Sequence, residues 1–153
     1  MVDAVSVGAS AIVSLLVALG TTEYRLRRAQ SVEESAEIEN WYIEAAQLAS
    51  RLQKTWRQKF EKPMQENTFS GYDEVQSKMN LMAGQLNSHA SEAQGKDVDE
   101  AVVNALDETA NACEKVYQIH IHLNSQPEFR EKGNQAVEKA EKLEELALAN
   151  VSE

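Results

Sequence analysis

The chain has 153 residues and carries 15 Lys and Arg against 25 Asp and Glu, which gives a formal net charge of −10 at pH 7. Because nucleic-acid binding requires a basic surface that neutralises phosphates, we expect no nucleic-acid partner. A single cysteine excludes an intramolecular disulfide. Few glycines and prolines, and little β-branched alternation, predict an all-α protein.

The first feature in chain order is an uncharged apolar stretch from Ala4 to Thr22. As a helix with a rise of about 1.5 Å per residue, it would span roughly 28 Å, close to the ~30 Å hydrocarbon core of a bilayer. The stretch therefore predicts a single transmembrane helix within residues 1–22. Two alternatives remain open, namely a signal peptide cleaved after the small residues Ala18 and Gly20, and a buried core helix.

A basic collar follows within residues 23–31, where Arg25, Arg27 and Arg28 are the predicted contacts to lipid headgroups. Positive residues remain on the cytoplasmic side of a membrane. We therefore expect a plasma-membrane protein with its amino terminus outside and the rest of the chain in the cytoplasm. Small residues at four-residue spacing in the apolar stretch (Ala4 with Gly8, and Ser6, Ser10 and Ser14) would permit close helix approach, so homo-oligomerisation is a further hypothesis.

Residues 32–150 are expected to form the cytoplasmic domain. Their apolar residues recur with a helical period, and turn or capping residues divide the chain into four helices. Short connections favour antiparallel neighbours, so we predict an antiparallel four-helix bundle, with an extended helical hairpin or coiled coil as the alternative. The expected helices are 29–62, ended by Pro63; 73–94, ended by Gly95; 98–123, begun by a capping box of Asp97 and Glu100; and 125–150, with Pro127 in its first turn.

Candidate chemistry is sparse. Cys113 and His120 lie two turns apart on one predicted helix, about 10 Å along its axis, which is too far for one metal ion. His89 belongs to another helix and precedes Glu92 by three residues, but the Glu-x-x-His pairs of carboxylate-bridged metal sites are absent. Phosphate-binding glycine loops and hydrolase motifs are absent as well. We therefore expect no enzymatic activity, no cofactor and no metal.

Two tryptophans, Trp41 and Trp56, are 15 residues apart and hence lie near one face of the first soluble helix. The simpler interpretation places both in the core, and the alternative is an exposed aromatic pair that docks a protein partner.

The sequence thus favours a single-pass, membrane-anchored interaction or scaffold protein with an acidic helical bundle. Two other functional hypotheses are a membrane-tethered metal-dependent sensor or enzyme that uses Cys113, His89 and His120, and an exported helical protein with a cleaved signal peptide.

Overall fold

Helical periodicity dominates the structure as it does the sequence. The computed structural model describes the backbone of residues 2–151 and the side chains of residues 23–151, and the elements within that part are all helical, which confirms the all-α class. In chain order they are α1 (Val2–Trp56), a π-helical turn (Arg57–Glu61), α2 (Lys62–Gln65), α3 (Tyr72–Ser91), α4 (Glu100–Tyr117) and α5 (Gln126–Val151).

The chain divides into two units, Met1–Glu37 and Ile38–Glu153. In the first unit, every side chain from Glu23 to Glu37 is exposed. Arg27 of the collar pairs with Glu23 one turn earlier, at 2.7 Å between Nη2 and Oε1. The side chains of Arg25 and Arg28 are exposed on the same helix.

The predicted transmembrane helix, Ala4 to Thr22, and its small-residue face lie outside the residues whose side chains are described. Over the part that the structure does describe, none of the helices is sufficiently long and apolar to cross a membrane.

The second unit is a helical bundle, and its contacts set the direction of each helix. Near the start of this unit, Trp41 of α1 contacts His89 at the carboxyl end of α3. At the opposite end, Lys59 pairs with Glu74 at the amino end of α3. Residues 38–56 of α1 are therefore antiparallel to α3.

Side-chain contacts also establish the directions of α4 and α5. Gln76, near the start of α3, donates a hydrogen bond to the carbonyl of Ile119, just past the end of α4, so these two helices are antiparallel. Lys139 of α5 pairs with Glu108 of α4, and the amide of Asn150 reaches the carboxylate of Asp99 before α4. Residues 38–151 therefore form an antiparallel four-helix bundle rather than an extended hairpin.

The core runs along the inner faces of α1, α3, α4 and α5 and is rich in small and medium apolar residues. An aromatic cluster closes one end, where Trp56 stacks on Phe60 and on Phe129, with ring centroids 4.4 Å and 5.7 Å away. Burying a large aromatic side chain removes on the order of 150–250 Å² of surface from water, so this cluster is a major source of stability.

Pro63 does not end the first helix as the sequence predicts; it lies in the first turn of α2. The preceding π-helical turn is wider, and the N–H of Lys62 bonds to the carbonyl of Arg57, five residues back. A proline lacks an N–H donor and crowds the preceding turn. The wider turn accommodates that loss locally, so the chain continues as a helix to Gln65.

The predicted bounds of two other helices are also corrected. The cap of α4 is Asp99, not Asp97, since its carboxylate accepts a hydrogen bond from the N–H of Ala101. This helix ends at Tyr117, six residues before the predicted Leu123. Gly95 has the left-handed backbone (φ 81°) that the sequence predicts, but it does not end the helix, because α3 already ends at Ser91, three residues before the predicted Gln94.

Candidate functional site

His89 is the centre of the candidate site, and its ring is held by α1. Its side chain is only 5% exposed. The ring stacks on the indole of Trp41, with centroids 5.0 Å apart and planes at 11°. The indole N–H of Trp41 donates to the carbonyl of His89 at 3.1 Å, so the two residues are joined through both ring and backbone.

The hydrogen bond of the imidazole fixes its protonation pattern. Nε2 of His89 lies 2.8 Å from the carbonyl oxygen of Trp41. A carbonyl oxygen only accepts, so Nε2 must carry a proton and donate it. In the neutral ring the lone pair is then on Nδ1.

Nδ1 faces two carboxylates. It lies 3.3 Å from Oε2 of Glu92, three residues later in the chain, and 3.7 Å from Oε2 of Glu44 on α1. One donor atom from each of these three residues lies within 4.8 Å of the others. Both carboxylate side chains are more than half exposed, at 61% for Glu44 and 54% for Glu92, whereas the imidazole is buried.

This cluster, Glu44, His89 and Glu92, opens onto a groove between α1 and α3. The groove has a volume of about 760 Å³ and is lined by both apolar and polar side chains, among them Leu48, Leu81 and Arg51. Leu81 is 62% exposed. An imidazole and two carboxylates are nitrogen and oxygen ligands suited to a divalent cation, and the open groove gives the site access from solvent.

Glu44 is the member of the cluster that sequence reasoning missed. His89 and Glu92 are three residues apart, a spacing visible in the sequence. Glu44 lies on another helix, and its sequence context does not distinguish it from the many other acidic residues of the chain. Its position one turn after Trp41 is informative only once Trp41 is known to stack on His89.

Cys113 does not belong to this cluster. Its side chain is fully buried in the core. Burial, with a smaller contribution from the charge of Glu114, raises the pKa of its thiol to about 12. At neutral pH it is therefore a protonated, small apolar side chain rather than a thiolate ligand or nucleophile.

The other two histidines lie in the connection between α4 and α5. The sequence places His120 and His122 on a helix, but α4 has already ended at Tyr117. Both side chains are exposed. Nδ1 of His122 accepts the N–H of Asn124 at 3.1 Å, so this ring stabilises the turn. Within the described part of the chain, the residues grouped with His89 are Glu44 and Glu92, not Cys113 and His120.

Trp41 and Trp56 are both buried, at 3% and 1% exposure, as the core interpretation predicts. Neither indole is exposed to dock a partner. They also contact different helices, since Trp41 stacks on His89 of α3 whereas Trp56 stacks on Phe129 of α5.

The chain matches no protein-family model, no curated protein and no solved structure.

Proposed function

We propose that this protein is a single-pass, membrane-anchored interaction module without catalytic activity of its own. Residues 4–22 form the anchor, the amino terminus lies outside the plasma membrane, and the acidic bundle lies in the cytoplasm. The bundle then serves as a scaffold for a protein partner, or for a second copy of the chain, at the inner membrane surface.

One observation carries the membrane assignment, namely the exposed side chains that follow the apolar stretch. Tyr24 is 66% and Leu26 60% exposed, and they alternate with the exposed arginines Arg25 and Arg27, followed by Arg28. Aromatic and basic residues at the end of an apolar span are typical of the interface between hydrocarbon and water. A basic collar also attracts anionic headgroups, while the acidic bundle is repelled from them.

Two reporters fused after Glu153 test the topology, one that is active only outside the membrane and one only inside. We expect the protein in the membrane fraction after an alkaline wash, with only the cytoplasmic reporter active. Replacing Arg25, Arg27 and Arg28 by Glu should move a measurable fraction of the carboxyl terminus to the outside. Replacing three exposed arginines of the bundle (Arg51, Arg57 and Arg130) by Glu is the matched control and should leave the topology unchanged.

Two results would contradict this proposal. A native intact mass that lacks residues 1–20 would support export with a cleaved signal peptide. A wild-type protein recovered in the soluble fraction after cell lysis would show that residues 4–22 do not anchor the chain in a membrane.

Self-association through the anchor is tested separately. Gly8→Ile places a large side chain on the small-residue face, and Val7→Ile changes a neighbouring position by one methylene group. We expect Gly8→Ile to shift the detergent-solubilised protein toward the monomer in analytical ultracentrifugation, and Val7→Ile to leave its state unchanged. A wild-type protein that is already monomeric would exclude the homo-oligomer and leave a different protein as the partner.

A further inference from the structure

We propose that Glu44, His89 and Glu92 form a binding site for a divalent transition-metal ion, with Zn²⁺ as the fitting ion. The site is independent of the membrane proposal and stands on the geometry of the bundle. Three protein ligands would hold the ion, and water would complete its coordination on the groove side.

The protonation of His89 is the first step of the argument. The N–H of Nε2 donates a hydrogen bond to the carbonyl of Trp41, so the neutral ring directs the lone pair of Nδ1 at two carboxylates. Three groups that all present electron pairs repel one another, and either a metal ion between them or a second proton on the ring removes that repulsion. A histidine that binds a metal through one nitrogen commonly donates its other N–H to a backbone carbonyl, which orients the ring.

The two distances from Nδ1 are close to those expected around a tetrahedral ion. Zn²⁺ binds imidazole nitrogen and carboxylate oxygen at about 2.0–2.2 Å, so ligands at tetrahedral angles lie about 3.3–3.6 Å from one another. The observed separation of 3.3 Å from Nδ1 to Glu92 lies within this range, and that of 3.7 Å to Glu44 lies slightly beyond it. Because both carboxylates are more than half exposed, small rotations of their side chains are enough to complete the geometry.

The surroundings also favour a cation. Glu92 directly follows the last residue of α3, where the carbonyl ends of the helix make a carboxylate unfavourable. The groove lining carries the two carboxylates of Glu44 and Glu92 against the single positive charge of Arg51, so negative charge is in excess there despite the arginine. A bound ion would also join α1 to the carboxyl end of α3, since its ligands come from both.

Zinc titration of the full-length chain in detergent micelles tests this site, with any affinity tag removed and the protein first treated with a chelator. Competition with a chromophoric chelator at pH 7.5 measures affinity and stoichiometry. We expect one Zn²⁺ per chain, and at least about a tenfold weaker affinity for Glu44→Gln and for Glu92→Gln, since even residues that only support ligands change metal affinity by that factor.

The matched control is the double variant Glu141→Gln with Glu145→Gln. It removes two negative charges from exposed positions of α5, away from the cluster. This control should keep the wild-type affinity, whereas the double variant Glu44→Gln with Glu92→Gln should lose the site. Equal Zn²⁺ affinity in the two double variants would overturn the proposal, because it would show only general attraction to an acidic surface. Circular dichroism checks that all variants keep their helices.

Nitrogen-15 NMR of the histidine rings provides a second readout that a merely structural role would not change. We expect Zn²⁺ to shift the Nδ1 resonance of His89 while Nε2 keeps its proton, and the resonances of His120 and His122 to remain unchanged. A doubly protonated His89 ring that is insensitive to stoichiometric Zn²⁺ would instead show an ion pair with the two glutamates, and would overturn the metal site.

Discussion

The indole of Trp56 lies directly over Gly133 of α5, and a Cβ at that glycine would overlap three atoms of the indole ring. The same indole donates a hydrogen bond to Asn134 at 3.3 Å. A glycine in the interior of α5 is therefore required by close packing between α1 and α5, and not by a turn.

Gly133→Ala should destabilise the bundle, because Trp56 must shift out of its aromatic cluster. Overpacking of this kind costs about 1–3 kcal/mol of the free energy of unfolding. Urea unfolding followed by circular dichroism measures the change. Gly84→Ala on α3 is the control: an added Cβ there meets nothing within 4 Å. The free energy of unfolding of Gly84→Ala should rise by about 0.5–1 kcal/mol, because alanine has a higher helix propensity than glycine. Equal stability of the two variants would contradict the packing argument.

Tyr42→Phe should weaken the start of α4. The hydroxyl of Tyr42 accepts the N–H of Asp99 at 2.6 Å, and Asp99 is the residue that caps this helix. Losing the hydrogen bond should cost about 1 kcal/mol of the free energy of unfolding. Tyr117→Phe serves as the comparison, because that side chain is 48% exposed, and its stability should equal the wild type. No difference between the two variants would show that water replaces the lost partner.

Cys113 should not react in the folded protein. Burial raises the pKa of its thiol to about 12 from the usual 9.0, so at pH 8 the folded chain offers almost no accessible thiolate. An aromatic disulfide reagent should label the chain in strong denaturant and not in buffer. Rapid labelling of the native protein would contradict the burial of this side chain.

The same raised pKa predicts the direction of a pH effect. The folded state keeps the thiol proton up to about pH 12, while the unfolded state loses it near 9.0. Between these values the folded state binds more protons, so stability should fall as the pH rises. Comparing the pH dependence of unfolding for wild type and Cys113→Ala above pH 9 isolates this contribution, since the variant lacks the thiol. If the unfolding free energies of the two proteins changed equally with pH, the predicted contribution of Cys113 would be refuted.

Glu108 should titrate below its usual range. A hydrogen bond from Lys139 and the charge of that residue hold its pKa below the usual value of 4.5, with a smaller effect of Lys142. The Glu108 carboxylate therefore contributes to stability above its pKa in the unfolded chain. This contribution is lost as the pH falls through its lower pKa in the folded chain. Carbon-13 NMR titration of the carboxyl group should show the lowered midpoint.

Lys139→Gln tests the cause of this lowered pKa. The variant should return the midpoint of Glu108 toward its ordinary value, because both the donor and the charge are gone. Lys132→Gln removes a charge from the same helix at a residue that does not act on Glu108, and it should leave the midpoint where it is in the wild type.

Local patterns predicted the helices well where local chemistry decides them. The helical period marked all four segments of the bundle, and Gly95 has the predicted left-handed backbone because glycine favours it, although α3 already ends at Ser91. Bounds were wrong where longer-range contacts compete. Asp97 and Asp99 both fit a capping pattern, but Asp99 is the one whose N–H is bound by Tyr42, 57 residues earlier. The π-helical turn before Pro63 had no signal in the pattern of apolar residues.

The candidate site also depends on contacts between distant parts of the chain, which the sequence pattern does not predict. His89 and Glu92 share a helical spacing, yet the ring is buried and oriented only because Trp41 of another helix stacks on it and accepts a hydrogen bond from its Nε2 through the backbone carbonyl. Among the 25 acidic residues, nothing in the sequence distinguishes Glu44.

The sequence by itself determined the helical class, the acidic character and the apolar stretch with its basic collar, because composition and short-range spacing are sufficient for these. Tertiary structure alone decided that Trp41 and Trp56 contact different helices, that Gly133 must lack a side chain, and that one imidazole faces two carboxylates. Such contacts depend on how helices far apart in the chain pack, and that packing follows from the summed burial of the whole core rather than from any single segment.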